Sequence, residues 1–121
     1  MPGQNSIILN KNVTITFQKP ISKEDFVKRI KEFASNFIAF LKADGCYQLG
    51  HIKFISTTNG EDYLQLSILD LDQLPKVDGI LKKTFEKIKL TLNVIVFGGG
   101  RDEIDNKLSQ EIRSLENYFD A

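Results

Sequence analysis

Four groups of residues in this sequence have types and spacings that could do chemistry. In VIVFGGGRDE, Gly98, Gly99, Gly100 and Arg101 stand between an apolar run and an acidic, helix-like start. Glycines let backbone N–H groups approach an anion closely, and a helix N-terminus beside an arginine favours a phosphate. The spacing matches neither the dinucleotide-binding fingerprint nor the P-loop, and Asp102 and Glu103 would repel an anion there. His51 is the one histidine, and Cys46, five residues earlier, the one cysteine. No CxxC, HxxxH or HExxH accompanies them, a structural zinc site needs about four ligands, and a Cys–His nucleophilic pair lacks an orienting third group.

Asp70 and Asp72 could offer oxygen ligands to a divalent cation, but no dense acidic loop supports them. Lys82, Lys83, Lys87 and Lys89 form a local basic cluster, and with Tyr63 they admit an RNA-binding sheet with aromatic stacking. No basic-aromatic RNA-binding motif backs that reading. The candidates thus contain no catalytic constellation, no metal motif and no implied cofactor, and point away from an enzyme.

The elements that must position these residues are legible in the apolar pattern. Residues 46–72, CYQLGHIKFISTTNGEDYLQLSILDLD, read as one β-hairpin turning at Asn59-Gly60. A two-residue turn would pair apolar with polar residues. A three-residue loop, 58–60, sets Phe54 against Leu64, Ile52 against Leu66 and Gly50 against Ile68, with Gly60 in a left-handed bulge position. That register places Ile52, Phe54, Leu64, Leu66 and Ile68 on the core face. His51, Lys53, Ile55, Tyr63, Gln65 and Ser67 share the other face, which is either solvated or a binding surface. Gly50 is the expected bulge, and the second strand is expected to bend or end near Ile68.

Upstream, 6–9 and 13–18 read as two short strands around the turn-like Asn10-Lys11-Asn12, with 1–5 frayed. Ser22 is the expected N-cap of a helix over 23–42, stopped by Asp44-Gly45. Its apolar residues, from Phe26 to Leu41, fill an arc of roughly 160° at 100° per residue, more than one contact surface requires. The helix therefore needs a second neighbour, either another helix or a partner chain. Downstream, Val77, Ile80, Leu81, Phe85 and Ile88 have helical spacing, which predicts a helix over 76–89 followed by a strand over 90–97. The same residues, KKTFEKIKLTLNV, also suit one long strand. Ile104, Leu108, Ile112, Leu115 and Phe119 make a one-sided stripe for a C-terminal helix.

The chain has 121 residues, 41% of them hydrophobic, which suits a single domain spanning 1–121. Sixteen basic and sixteen acidic side chains cancel, so no bulk field points to nucleic acid or an anionic membrane. A single cysteine excludes an internal disulfide and fits a reducing, cytoplasmic setting, and no apolar run approaches a membrane span. The order β(β)αββαβα predicts an α+β domain, its mainly antiparallel sheet carrying helices chiefly on one face. The expected topology is a ferredoxin-like core with a C-terminal helix, or else a profilin- or roadblock-like sandwich.

These observations suggest a small, soluble, non-enzymatic interaction or assembly module, homodimeric or bound to a protein partner. A phosphorylated small molecule held by Gly98, Gly99, Gly100 and Arg101 is the alternative, and RNA binding on the sheet ranks third.

Overall fold

In the computed structural model the described residues are 6–59 and 61–120. The fraying expected of residues 1–5 and the left-handed bulge expected of Gly60 fall outside them. The elements are β1 (Ser6–Ser22), α1 (Lys23–Ala43), β2 (Cys46–Thr57), β3 (Tyr63–Ile68), β4 (Lys76–Ile80), β5 (Thr84–Gly98) and α2 (Arg101–Asp120). The sheet runs β1-β5-β2-β3-β4 with every neighbouring pair antiparallel. The two helices lie side by side on one of its faces. This is the expected α+β class, reached by a different element order.

The expected helix over 76–89 is replaced by β4, a tight connection, and the start of β5. Gly79 has φ +94°, a conformation incompatible with a right-handed helix. From Ile88 onward burial alternates strictly, with Ile88, Leu90, Leu92, Val94 and Val96 all fully buried. Apolar residues spaced by three or four fit either period when a bulge intervenes, and here backbone partners on β1 and β3 settle the choice. With that helix goes the second crossover of a ferredoxin-like core. One split β–α–β unit remains, in which α1 carries the chain from β1 to β2 and β5 lies between them.

The two expected N-terminal strands are one. Asn10, Lys11 and Asn12 stay in the ladder opposite Asn93, Leu92 and Thr91. Their turn preference yields because β5 satisfies the backbone, while Thr91 Oγ1 donates to Asn12 Oδ1 at 3.0 Å and Lys11 reaches Asp105 at 2.6 Å. The strand becomes irregular between Thr16 and Ile21, around Lys19-Pro20. A proline cannot donate to a ladder.

The hairpin has the expected faces but a register two residues longer. Ile52 faces Ile68, Phe54 faces Leu66 and Ser56 faces Leu64. A slip of two preserves the side-chain parity, so the apolar set stays inward. The reason for the longer loop is Asp62. Its carboxylate accepts from the Thr58 amide (3.2 Å), from the Thr58 hydroxyl (2.7 Å to Oδ2) and from the Lys82 amide (2.9 Å), tying this loop to the β4–β5 connection. The expected irregularity at Gly50 is present, since pairing with β5 shifts between Leu49 and His51. A Cβ on Gly50 would stand 2.6 Å from Ile95 Cγ2.

Both helices form as their stripes suggest. Ser22 Oγ accepts from the Asp25 amide at 3.2 Å, and the turn after α1 passes through Gly45 at φ +93°. Phe26, Ile30, Phe33, Ala34, Phe37 and Leu41 are buried, as are all five residues of the α2 stripe. The second neighbour of α1 is α2. Phe17, Phe26, Phe85 and Phe119, drawn from β1, α1, β5 and α2, pack with ring centroids 5.2–6.4 Å apart.

Burial opposes ionisation of Asp62, but the donated hydrogen bonds outweigh it and lower the carboxyl from 3.8 to about 2. A depressed folded-state value gives stability that is complete above the unfolded value and is lost as pH falls through the folded one. The Asp62 contribution is therefore present above about pH 4 and disappears towards pH 2. Asp62→Asn should cost about 1 kcal/mol at neutral pH and flatten this part of the acid-unfolding curve, read by urea denaturation at several pH values. An unchanged acid limb would refute the role.

Candidate functional site

The glycine-rich junction is a clasp between α1, β5 and α2. Gly98 and Gly99 have φ of +87° and +82°, a region costly to residues with a Cβ. A Cβ on Gly98 would lie 2.5 Å from the Gly45 carbonyl oxygen and against the Tyr47 ring. The Gly100 amide donates to Asp44 Oδ2 at 2.9 Å, and the Gly100 carbonyl accepts from the Ile104 amide at 3.0 Å, opening α2. Asp44 also closes α1, its amide donating to Phe40 O at 2.9 Å. An internal carboxylate thus occupies the position an external anion would take at this helix start, where the macrodipole favours negative charge. A Cβ on Gly100 would meet the Glu103 carboxylate, and Arg101 projects into solvent.

The other sequence candidates are separated by the fold. Cys46 is buried, its thiol 3.5 Å from the Gln48 carbonyl oxygen. Burial pushes the thiol up from its ordinary value, so it stays protonated at neutral pH. His51 pairs across the sheet with Ile95 on the opposite face, so the two residues form no Cys–His pair. The Asp72 amide donates to Asp70 Oδ1 at 2.8 Å, and the Asp72 carboxylate meets Lys42 at 3.0 Å. No group of three or more His, Cys, Asp or Glu able to hold a metal occurs among the described residues. The lysine cluster divides, with Lys82 and Lys83 in the β4–β5 connection and Lys87 and Lys89 on β5.

His51, Lys53, Tyr63 and Gln65 do come together, on the sheet face that neither helix covers. Pairing sets the rows of that face. Ile8, Ile95 and His51 form one, and Asn10, Asn93, Lys53, Ser67 and Lys76 the next. Thr14, Lys89, Thr57, Tyr63 and Ile80 lie two rows further. Lys53, Lys76, Lys87 and Lys89 make this face basic, with Asp78 as its acidic member. At the opposite end from Lys87, Ile8 is 49% exposed and Leu69, just past β3, is 65% exposed, while Ile95 and Phe97 are half-buried.

Sequence reasoning missed Ile8 and Phe97 as parts of this surface. Apolar residues on both parities of 94–97 were the available signal, but a strand central to its sheet accounts for them equally well.

The sequence matches no protein-family model and no curated protein. Among solved structures, a zinc-bound triple mutant of the YjiA GTPase aligns over 84% of this chain at 12% identity, with a TM-score of 0.41. This chain spans 29% of that protein's length. A likeness that slight carries no weight on function. Neither helix is long and apolar enough to cross a membrane.

Asp44→Ala should remove one amide acceptor and the favourable charge at the start of α2, costing about 1 kcal/mol. Gly98→Ala should cost more, above about 2 kcal/mol, because its Cβ enters the Gly45 carbonyl and its φ is left-handed. Urea denaturation of both variants checks the order, which reverses if Gly98 is only a flexible link.

Proposed function

We propose that this protein is a non-enzymatic interaction and assembly module that pairs with a second copy of itself through the bare face of its sheet. The observation that carries the reading is the one-sided covering of a five-stranded sheet whose bare face carries Ile8, 49% exposed, beside the half-buried Ile95 and Phe97, with Leu69 exposed just past the end of β3. Apolar side chains gathered at one end of an uncovered sheet face, rimmed by polar groups, favour an interaction site there. The broad arc of α1, which first suggested self-association, is taken up by the sheet and α2 and no longer argues for it.

Homo-oligomers most often close about a two-fold axis, so the same patch must meet itself. An axis near Ile95 brings the two apolar ends together and keeps Lys87 and Lys89 of the two copies apart. His51 and Lys53 then border the contact, where Asn10, Asn93 and Ser67 supply neutral hydrogen-bonding groups. Sheets packed face to face lie about 10 Å apart, a spacing these side chains can fill.

Size-exclusion chromatography with light scattering should give a mass of two chains for the wild type. Ile8→Glu combined with Leu69→Glu should weaken association at least tenfold, the effect of about 1.4 kcal/mol, with an unchanged far-UV circular dichroism spectrum. A wild-type monomer at high micromolar concentration would overturn the proposal.

A further inference from the structure

The helical side of the sheet is not fully covered. Five strands at about 4.8 Å spacing make a sheet about 24 Å wide, whereas two helices packed at 8–10 Å cover roughly 20 Å. Because α2 lies over β1 and packs against one flank of α1, the deficit falls beyond the other flank, above β3 and β4. A cavity of about 490 Å³ opens there, within the range of about 300–1,000 Å³ usual for small-molecule sites.

Its two walls differ in chemistry. The sheet wall is apolar, built from the buried Leu64 and Leu81, with Gly79 paired to Leu64. Ile80, paired with Tyr63 on the bare side of the sheet and 74% exposed, touches the cavity only at its mouth. The helix wall has the half-buried Val27 and the exposed Lys28 and Lys31. Lys23 adds a third ammonium, against one carboxylate, Glu24. Among the described residues none of these lysines makes an ion pair. The first turn of α1 borders the cavity, so the positive end of its macrodipole adds to the same field. The Lys23 amide donates to Lys83 O at 2.9 Å, anchoring the helix start to the β4–β5 connection.

We infer that this cavity binds a single-chain amphiphile with one anionic head, a fatty carboxylate being the simplest. The hydrocarbon chain lies along Val27, Leu64 and Leu81, and the carboxylate meets Lys28 and Lys31. Burying the chain supplies the favourable hydrophobic contribution, and the one-sided placement of the lysines fixes its direction. The site lies on the helical side of the sheet, shares with the bare face only Ile80 at its mouth, and does not depend on dimerisation.

The test is a titration of ¹⁵N-labelled protein with decanoate below its micelle concentration, with decanol, acetate and phosphatidylglycerol vesicles alongside. Decanoate should perturb, saturably and at one site, residues 27–31, 64 and 79–81. Decanol should bind about tenfold more weakly, and acetate should not bind. Lys28→Gln with Lys31→Gln should weaken decanoate about tenfold, the loss expected of two partly exposed ion pairs. Val27→Trp should fill the cavity and abolish binding while leaving the thermal midpoint unchanged. Equal affinity for decanol, dispersed perturbations, binding that survives Val27→Trp, or binding to vesicles without binding to free decanoate would each overturn the inference. Preference for an acidic amphipathic helical peptide over decanoate would do so as well.

Discussion

Pairing of β5 along both of its edges holds the fold together. β5 comes late in the chain, yet it fills the space between β1 and β2 and satisfies the backbone of both. Without it, β1 would have no partner and α1 would join two separated strands. Its inward residues from Ile88 to Val96 form the floor on which both helices rest. Phe85 extends that floor into the phenylalanine cluster that joins β1, α1 and α2. Such non-local pairing also explains why turn-like and helix-like segments elsewhere became strands. A backbone group with a partner in place outweighs a local preference worth a fraction of a kcal/mol.

Two aspartates secure opposite ends of this sheet. Asp44 joins the end of α1 to the beginning of α2, and Asp62 joins the β2–β3 loop to the β4–β5 connection. A carboxylate at the end of α1 opposes that helix's own dipole. The amide it accepts at the start of α2 compensates, so its position makes sense only in the folded chain. Both residues are chemistry-bearing types used for architecture. The glycine-rich stretch that looked most like a ligand site is occupied by one of them.

The neutral charge of the chain conceals its distribution. Lys53, Lys76, Lys87 and Lys89 collect on the bare sheet face. Asp102, Glu103 and Asp105 begin α2 on the other side. The sheet layer and helix layer therefore present surfaces of different character, and partner chemistry follows the surface and not the total. The flank of α1 beside β4 is different again, with an apolar floor under a lysine rim.

The elements with local signals were legible along the chain. Ser22 and Gly45 bounded α1, five residues of one stripe defined α2, and period-two alternation placed His51, Lys53, Tyr63 and Gln65 on one face. Those readings hold because capping, glycine conformation and side-chain parity are properties of neighbouring residues. Long-range contacts fixed the remainder. Whether 76–89 formed helix or strand depended on partners many residues away. The hairpin register depended on Asp62 reaching Lys82, and the role of Gly100 depended on Asp44, 56 positions earlier. Spacing along a chain carries no record of which distant backbone groups will face each other, and such contacts settled these choices.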